Sequence, residues 1–235
     1  MKLAIMQPYL FPYIGYFQLI SAVDKFVVYD DVNFIKGGWI NRNNLLINKK
    51  VNMFTLPLDK PSPFTLINET QLNCNFYESW KLKFLRSIEQ SYKKAPFYAE
   101  VYFLVENILD NKDNNLISKL AVKAIKSICG YLTIDTEILE TSAIYKNNQF
   151  KAQQRVLDIC AIEKASQYIN VSGGLELYSK EVFKEKGIQL NFIKAGAINY
   201  KQFGNEFVPW LSIIDVLMFN SVEEVKNLIN QYELI

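Results

Sequence analysis

The stretch Met6-Gln-Pro-Tyr-Leu-Phe-Pro-Tyr-Ile-Gly-Tyr-Phe17 joins an apolar run, Lys2 to Met6, to a second one, Gln18 to Val23. A third run, Lys25-Phe-Val-Val-Tyr29, ends in Asp30-Asp31. Strand, proline- and glycine-bearing turn, helix and strand make one βαβ unit. Its first turn sits at the carboxyl end of a strand, where open α/β sheets bind ligands. Core packing alone does not call for Gln7, Pro8, Tyr9, Tyr13, Gly15 and Tyr16 in one turn, so these six are candidate ligand-binding residues. An aromatic-rich core segment is the alternative.

Working outward, Val51 to Leu58 carries β-formers and reads as a strand that stops at Pro57. The middle of the chain is helical. Trp80, Phe84, Leu85, Ile88 and Tyr92 recur at helical spacing, a second helix runs from about 97 to 109, and 111–115 is a polar turn. Leu116, Leu120, Ala124 and Ile128 mark a third helix. Strand 133–144, helix 149–162, strand 168–171, a helix reaching Lys186 and strand 188–195 follow, with Gly187 as a C-terminal cap. Two short helices close the chain, at about 211–219 and 221–232, the second opened by Ser221 and Glu224 as a capping box. The expected fold is α/β, a mainly parallel sheet with helices on both faces. Residues 1–75 and 131–235 form its two halves, with a helical insertion at 76–130.

Composition narrows the chemistry. A chain of 235 residues, half of them hydrophobic, buries a large core. A net charge of +2 gives no general attraction to DNA. Histidine is absent, which excludes Ser-His-Asp and Cys-His catalysis and histidine metal sites. Cys74, Cys129 and Cys160 are far apart and form no metal or redox spacing. No leader pattern or membrane-spanning run is present, so a reduced cytoplasmic protein is expected, free or as a homo-oligomer.

Three further clusters carry polar chemistry. Asp30-Asp31 begins a loop that continues through Lys36, Gly37, Gly38, Trp39, Asn41, Arg42 and Asn43. The carboxylates suit Mg²⁺ binding or proton transfer, Lys36 and Arg42 suit phosphate, and Trp39 offers a stacking face. A solvated loop is the alternative. Ser172-Gly173-Gly174 ends a strand and is expected to open a helix, another anion-ready terminus unless it is a plain cap. Tyr200 and Lys201 follow the last strand, and Asp215 reads better as a buried polar anchor than as a site residue. The expectation is that the tyrosine turn and the Asp30–Asn43 loop converge on one polar pocket.

Two resemblances attach to these residues. Tyr13-Ile-Gly-Tyr16 resembles the His-x-Gly-His turn of pantothenate synthetase and the cytidylyltransferases, with tyrosine in place of both histidines. The whole chain resembles the WbqC-like family through Met6 to Phe17, Tyr29-Asp-Asp-Val32 and Trp39-Ile-Asn-Arg-Asn43. Tyr168-Ile-Asn170, Gly173-Gly174 and Leu211-Ser-Ile-Ile-Asp215 extend it. The family resemblance implies bacterial surface-polysaccharide biosynthesis, including O-antigen sugars. Together they imply an enzyme that forms an amide on a nucleotide-linked amino sugar by acyl or aminoacyl transfer, with ATP and Mg²⁺ as candidate cofactors and Asp30, Asp31, Lys36 and Arg42 as catalytic residues. A sugar nucleotidyltransferase and a non-catalytic sugar-nucleotide-binding protein are the alternatives.

Overall fold

The structure is a computed structural model that describes residues 1–110, 115–204 and 206–235. Of the polar turn expected at 111–115, only Asn115 falls within the described residues. The opening unit is β1 (Lys2–Met6), α1 (Ile14–Ser21) and β2 (Lys25–Val28). A hairpin of β3 (Arg42–Ile47) and β4 (Lys50–Thr55) follows, then α2 (Cys74–Tyr92), α3 (Tyr98–Leu109) and α4 (Ile117–Tyr131). The chain returns through β5 (Glu137–Leu139), α5 (Ala152–Ile162), β6 (Gln167–Val171), α6 (Lys180–Glu185) and β7 (Gln189–Ala195). It closes with α7 (Ile213–Phe219), α8 (Val222–Ile229) and β8 (Tyr232–Leu234).

The main sheet has the order β5-β2-β1-β6-β7-β8. Every neighbouring pair is parallel except β7 with β8. Chain direction across the sheet reverses between β1 and β6, which is the topological switch point of such folds. Side chains alternate across the sheet as the period of two demands. Leu3, Ile5 and Val27 face Val156, Ile159 and Cys160 of α5 and Phe183 of α6. Ala4, Phe26 and Val28 join a larger core with Phe17 and Leu19 of α1, Phe84 of α2, Ile125 of α4 and Val216 of α7. Each such Leu, Ile or Phe contributes about 1.5–3 kcal/mol relative to exposure. Among the described residues no helix is long and apolar enough to cross a membrane.

Several sequence expectations are corrected. The loop read from Asp30 onward ends at Arg42, because Arg42–Ile47 pairs antiparallel with Lys50–Thr55. Asn48 and Lys49 between them both have positive φ, 50° and 62°, the backbone of a tight hairpin turn without the usual glycine. The strand expected at 133–144 shrinks to Glu137–Leu139 and gives way to a 3₁₀ turn at Ser142–Tyr145. Ser172–Gly174 is itself a three-residue 3₁₀ turn, and the helix expected there starts only at Lys180, capped by Ser179. The last helix stops at Ile229, and β8 follows. Gly187 (φ +72°) and the Ser221–Glu224 capping box stand where the sequence puts them.

Candidate functional site: an aromatic cleft at the carboxyl edge

The first turn is built as a rigid object. Phe11 has φ +50°, costly for a bulky residue, so its neighbours must hold it. Its carbonyl accepts from Asn43 Nδ2 and from Ser212 Oγ, each at 2.8 Å. The Leu10 amide donates to the Ile40 carbonyl at 2.9 Å, and the Ile213 amide to that of Pro12 at 2.8 Å. The Ser212 amide closes the circuit on the Asn44 carbonyl. Residues 7–13, 40–44 and 211–213, far apart in sequence, are thus one hydrogen-bonded unit at the carboxyl end of β1.

On this unit stand the rings. Tyr13 faces Trp210 with centroids 6.0 Å apart, and the pair is shared by two cavities. The first, about 210 Å³, lies between the start of α1 and the end of β7, under Ala195–Ile198 and Phe207–Leu211. The second, about 240 Å³, is lined by Tyr9, Pro12, Trp39, Asn43 and Asn44. Together they reach the range of small-molecule sites, roughly 300–1,000 Å³. Burial pushes the Tyr9 and Tyr13 phenols above their usual range, so both stay neutral donors at pH 7. Gly15 makes room for this arrangement, since a Cβ there would lie 2.3 Å from the Tyr13 ring. The glycine serves the aromatic ring.

Arg42 stacks over Trp39 at 5.7 Å, and its buried Nε has no hydrogen-bond partner. Gly37, at φ +79°, lies beside its guanidinium. The result is a cation held on a half-exposed indole at the rim of the second cavity.

The other candidates are placed differently. Tyr16 is buried and donates to the Gln7 carbonyl at 2.9 Å, so its hydroxyl points inward rather than at a ligand. Pro8 is buried, and the Asn41 amide is spent on the Leu56 carbonyl. Lys36 and Lys201 are exposed. Ser172 and Gly173 are exposed too, while Gly174 is buried so tightly that a Cβ would meet Asn170 Nδ2 at 2.6 Å. That contact explains the glycine without an anion. Cys129 and Cys160 are buried, which pushes both thiols up to about 12 and removes them as nucleophiles at neutral pH.

Asp30 and Asp31 do not join the aromatic turn in a polar pocket. Asp30 Oδ1 accepts from Thr141 Oγ1 at 2.7 Å and from the Ser142 amide at 3.1 Å. Its pKa is raised, burial outweighing these bonds. Asp31 pairs with Arg155 at 2.5 Å and accepts from Ser142 Oγ. Arg155 also lies over the Tyr29 ring at 4.9 Å and donates to Asn147 Oδ1. Among the described residues no group of three or more Cys, Asp or Glu side chains is arranged to hold a metal. The carboxylates face α5 and the start of the 3₁₀ turn that follows β5, because their partners Thr141, Ser142 and Arg155 come from there.

Under the first cavity lies Asp215. Its Oδ2 accepts from the Tyr92 hydroxyl at 2.7 Å, and its Oδ1 from the Tyr200 hydroxyl at 2.7 Å and Gln202 Nε2 at 2.8 Å. Gln202 also brackets Val208, donating to its carbonyl and accepting from its amide. One carboxylate therefore fixes the segment that forms the cavity's outer wall.

A family model, the WbqC-like protein family, matches residues 7–227. The chain belongs to that family. It is also 31% identical over 221 residues to an uncharacterized protein of Mycobacterium tuberculosis, Rv1507c, covering 93% of each chain. No solved structure matches.

For this WbqC-like chain, the segments 6–17, 39–43 and 211–215 close on one another around the cleft. Segment 29–32 serves the Asp31–Arg155 centre instead. Sequence reading missed Arg155 and Trp210. Arg155 looks like any surface arginine in helix 149–162. Trp210 follows Pro209 in a segment without periodicity, and only its 71% exposure beside Tyr13 reveals its place.

Proposed function

We propose that this protein is an enzyme of surface-polysaccharide biosynthesis that binds a nucleotide-linked amino sugar in the aromatic cleft and acylates the sugar amine. The observation that carries the reading is the pair of cavities meeting at Tyr13 and Trp210. Two chambers with a common divider suit two substrates whose reactive ends must meet. The chamber with Tyr9, Trp39, Asn43 and Asn44 offers a stacking face and amides for a sugar or base, and Arg42 a fixed cation for the diphosphate. The polysaccharide setting is what family membership implies.

In the reaction the amine nitrogen bonds to the carbonyl carbon of an activated acyl donor. The donor's C–S or C–O bond breaks, and the amine proton leaves on the released thiol or alcohol. Asp30 and Asp31 are engaged by internal donors, which favours a donor activated before it arrives over adenylation on the protein. The same engagement, with no carboxylate among the described residues lining either cavity, favours one second reading, a non-catalytic sugar-nucleotide-binding protein.

Calorimetry with a nucleotide-linked amino sugar, then mass spectrometry after adding an acyl or aminoacyl thioester, tests both. Amide formation, with kcat/KM lowered about tenfold or more in Trp39→Ala, is expected. Binding without amide under every donor leaves the second reading. Failure to bind the nucleotide-linked sugar overturns both.

A further inference from the structure

Resting on the acylation reading, we infer that the chamber under Ala195–Ile198 takes an apolar acyl chain, and that this protein selects an aliphatic acyl donor over an aminoacyl one. The walls decide it. Ala195, Gly196 and Ala197 on one side face Phe207, Pro209 and Leu211 on the other, with Ile14 and Val216 as floor. None carries a charge. Apart from Tyr13 and Trp210 at the divider, the polar groups that approach are committed to one another. The Tyr200 hydroxyl donates to Asp215, and both oxygens of Asp215 are already occupied by Tyr92, Tyr200 and Gln202. An aminoacyl group brings an ammonium that meets no carboxylate among the described residues lining the chamber, and burying a charge without its counter-charge is strongly unfavourable.

Size agrees. The chamber, about 210 Å³, exceeds the roughly 150 Å³ at which an apolar cavity in a protein accepts benzene. An acyl chain of several carbons fits better than acetyl, which leaves space unfilled. Ala195, Gly196 and Ala197 add little bulk to its wall. At the mouth, Trp210 holds a positive φ of 61° and projects into solvent against Tyr13, a strained conformation of the kind found at binding sites. Carbonyl and thioester would lie at this divider, with the chain on one side and the sugar amine on the other.

The test uses hexanoyl-, acetyl- and glycyl-pantetheine with the full chain, followed by tryptophan fluorescence and calorimetry, with a nucleotide-linked amino sugar titrated separately. Each buried methylene strengthens binding by about fourfold, so hexanoyl is expected to bind about tenfold or more above glycyl. Ala197→Trp, which fills the chamber from an exposed position, abolishes that advantage and leaves sugar-nucleotide affinity within about twofold. Ala197→Asp supplies the missing counter-charge and reverses the preference towards glycyl. Equal or tighter binding of glycyl-pantetheine to the wild type overturns the inference, as does a hexanoyl advantage that survives Ala197→Trp. If the sugar nucleotide fails to bind while hexanoyl-pantetheine still does, the acylation reading falls and the apolar chamber stands.

Discussion

Asp31 and Asp215 are both buried carboxylates on a sheet protein's polar edge, yet they are held in opposite ways. Asp31 meets a full counter-charge, Arg155, and with it ties the end of β2 to α5. Asp215 has only neutral donors, two tyrosines and a glutamine, and it ties the helix start of α7 to the wall of the cleft. A charge balanced by a charge makes a lock whose two halves depend on each other. A charge balanced by dipoles makes a bracket that shapes its surroundings and still responds to protons. The first region is scaffold. The second is scaffold whose job is to hold a cavity open.

The largest expected effect breaks the lock. Arg155→Met leaves Asp31 buried without its cation and should cost about 3–5 kcal/mol by urea denaturation. The double change Asp31→Asn with Arg155→Met should recover at least about half of that, since no charge is then stranded. A single-variant loss below about 1 kcal/mol would mean the pair is incidental.

Next comes the bracket. Asp215→Leu strands the hydroxyls of Tyr92 and Tyr200 and takes one acceptor from the Gln202 amide, at a cost of about 2–4 kcal/mol. It should also loosen residues 200–203 and 206–208 and weaken binding of hexanoyl-pantetheine, whereas Arg155→Met should leave that binding unchanged in whatever fraction remains folded. If both variants affect the cleft equally, the contrast between the two carboxylates fails.

Acid titration sharpens the contrast further. Burial raises the Asp215 pKa above its ordinary 3.8 despite three hydrogen bonds. The folded state therefore binds the proton more tightly than the unfolded chain does, and stability from this group rises as pH falls towards that ordinary value. Asp30, also raised by burial, acts in the same direction. Melting temperatures from pH 7 to pH 4 should show the wild type gaining on Asp215→Asn as pH falls. A flat or reversed difference would contradict the assignment.

The smallest stability effect is expected at the cleft itself. Trp210 is 71% exposed, so Trp210→Ala should change stability by no more than about 0.5 kcal/mol. The same variant should reduce affinity for sugar nucleotide and acyl thioester together, because the indole borders both chambers. Loss of only one would argue that the chambers work independently.

The legible part of this protein follows short-range rules. The βαβ opening, the Gly187 cap and the Ser221–Glu224 box depend on neighbours within a few residues, and each stands where pattern reading puts it. The β3–β4 hairpin was hidden because Asn48-Lys49 adopts a turn more usual for Asn-Gly, driven by strand pairing on both sides. The Asp30–Asn43 loop resembled a single site because its charges are adjacent in sequence. In space its carboxylates turn to Thr141, Ser142 and Arg155, while Trp39 and Arg42 turn to the aromatic cleft.

By itself, then, the sequence determined the alternating strands and helices, the parallel sheet, the absence of histidine chemistry and the concentration of rings at the end of the first strand. These rest on residue type and local periodicity, which the chain carries wherever it goes. Only the tertiary structure decided which polar groups stay free. Hydrogen-bond capacity is consumed by whatever lies nearest in space, and the Arg155–Asp31, Ser212–Phe11 and Asp215–Tyr92 contacts each join residues more than 100 positions apart. That allocation engaged Asp30 and Asp31 with internal donors and left an aromatic, divided cleft at the carboxyl edge of the sheet.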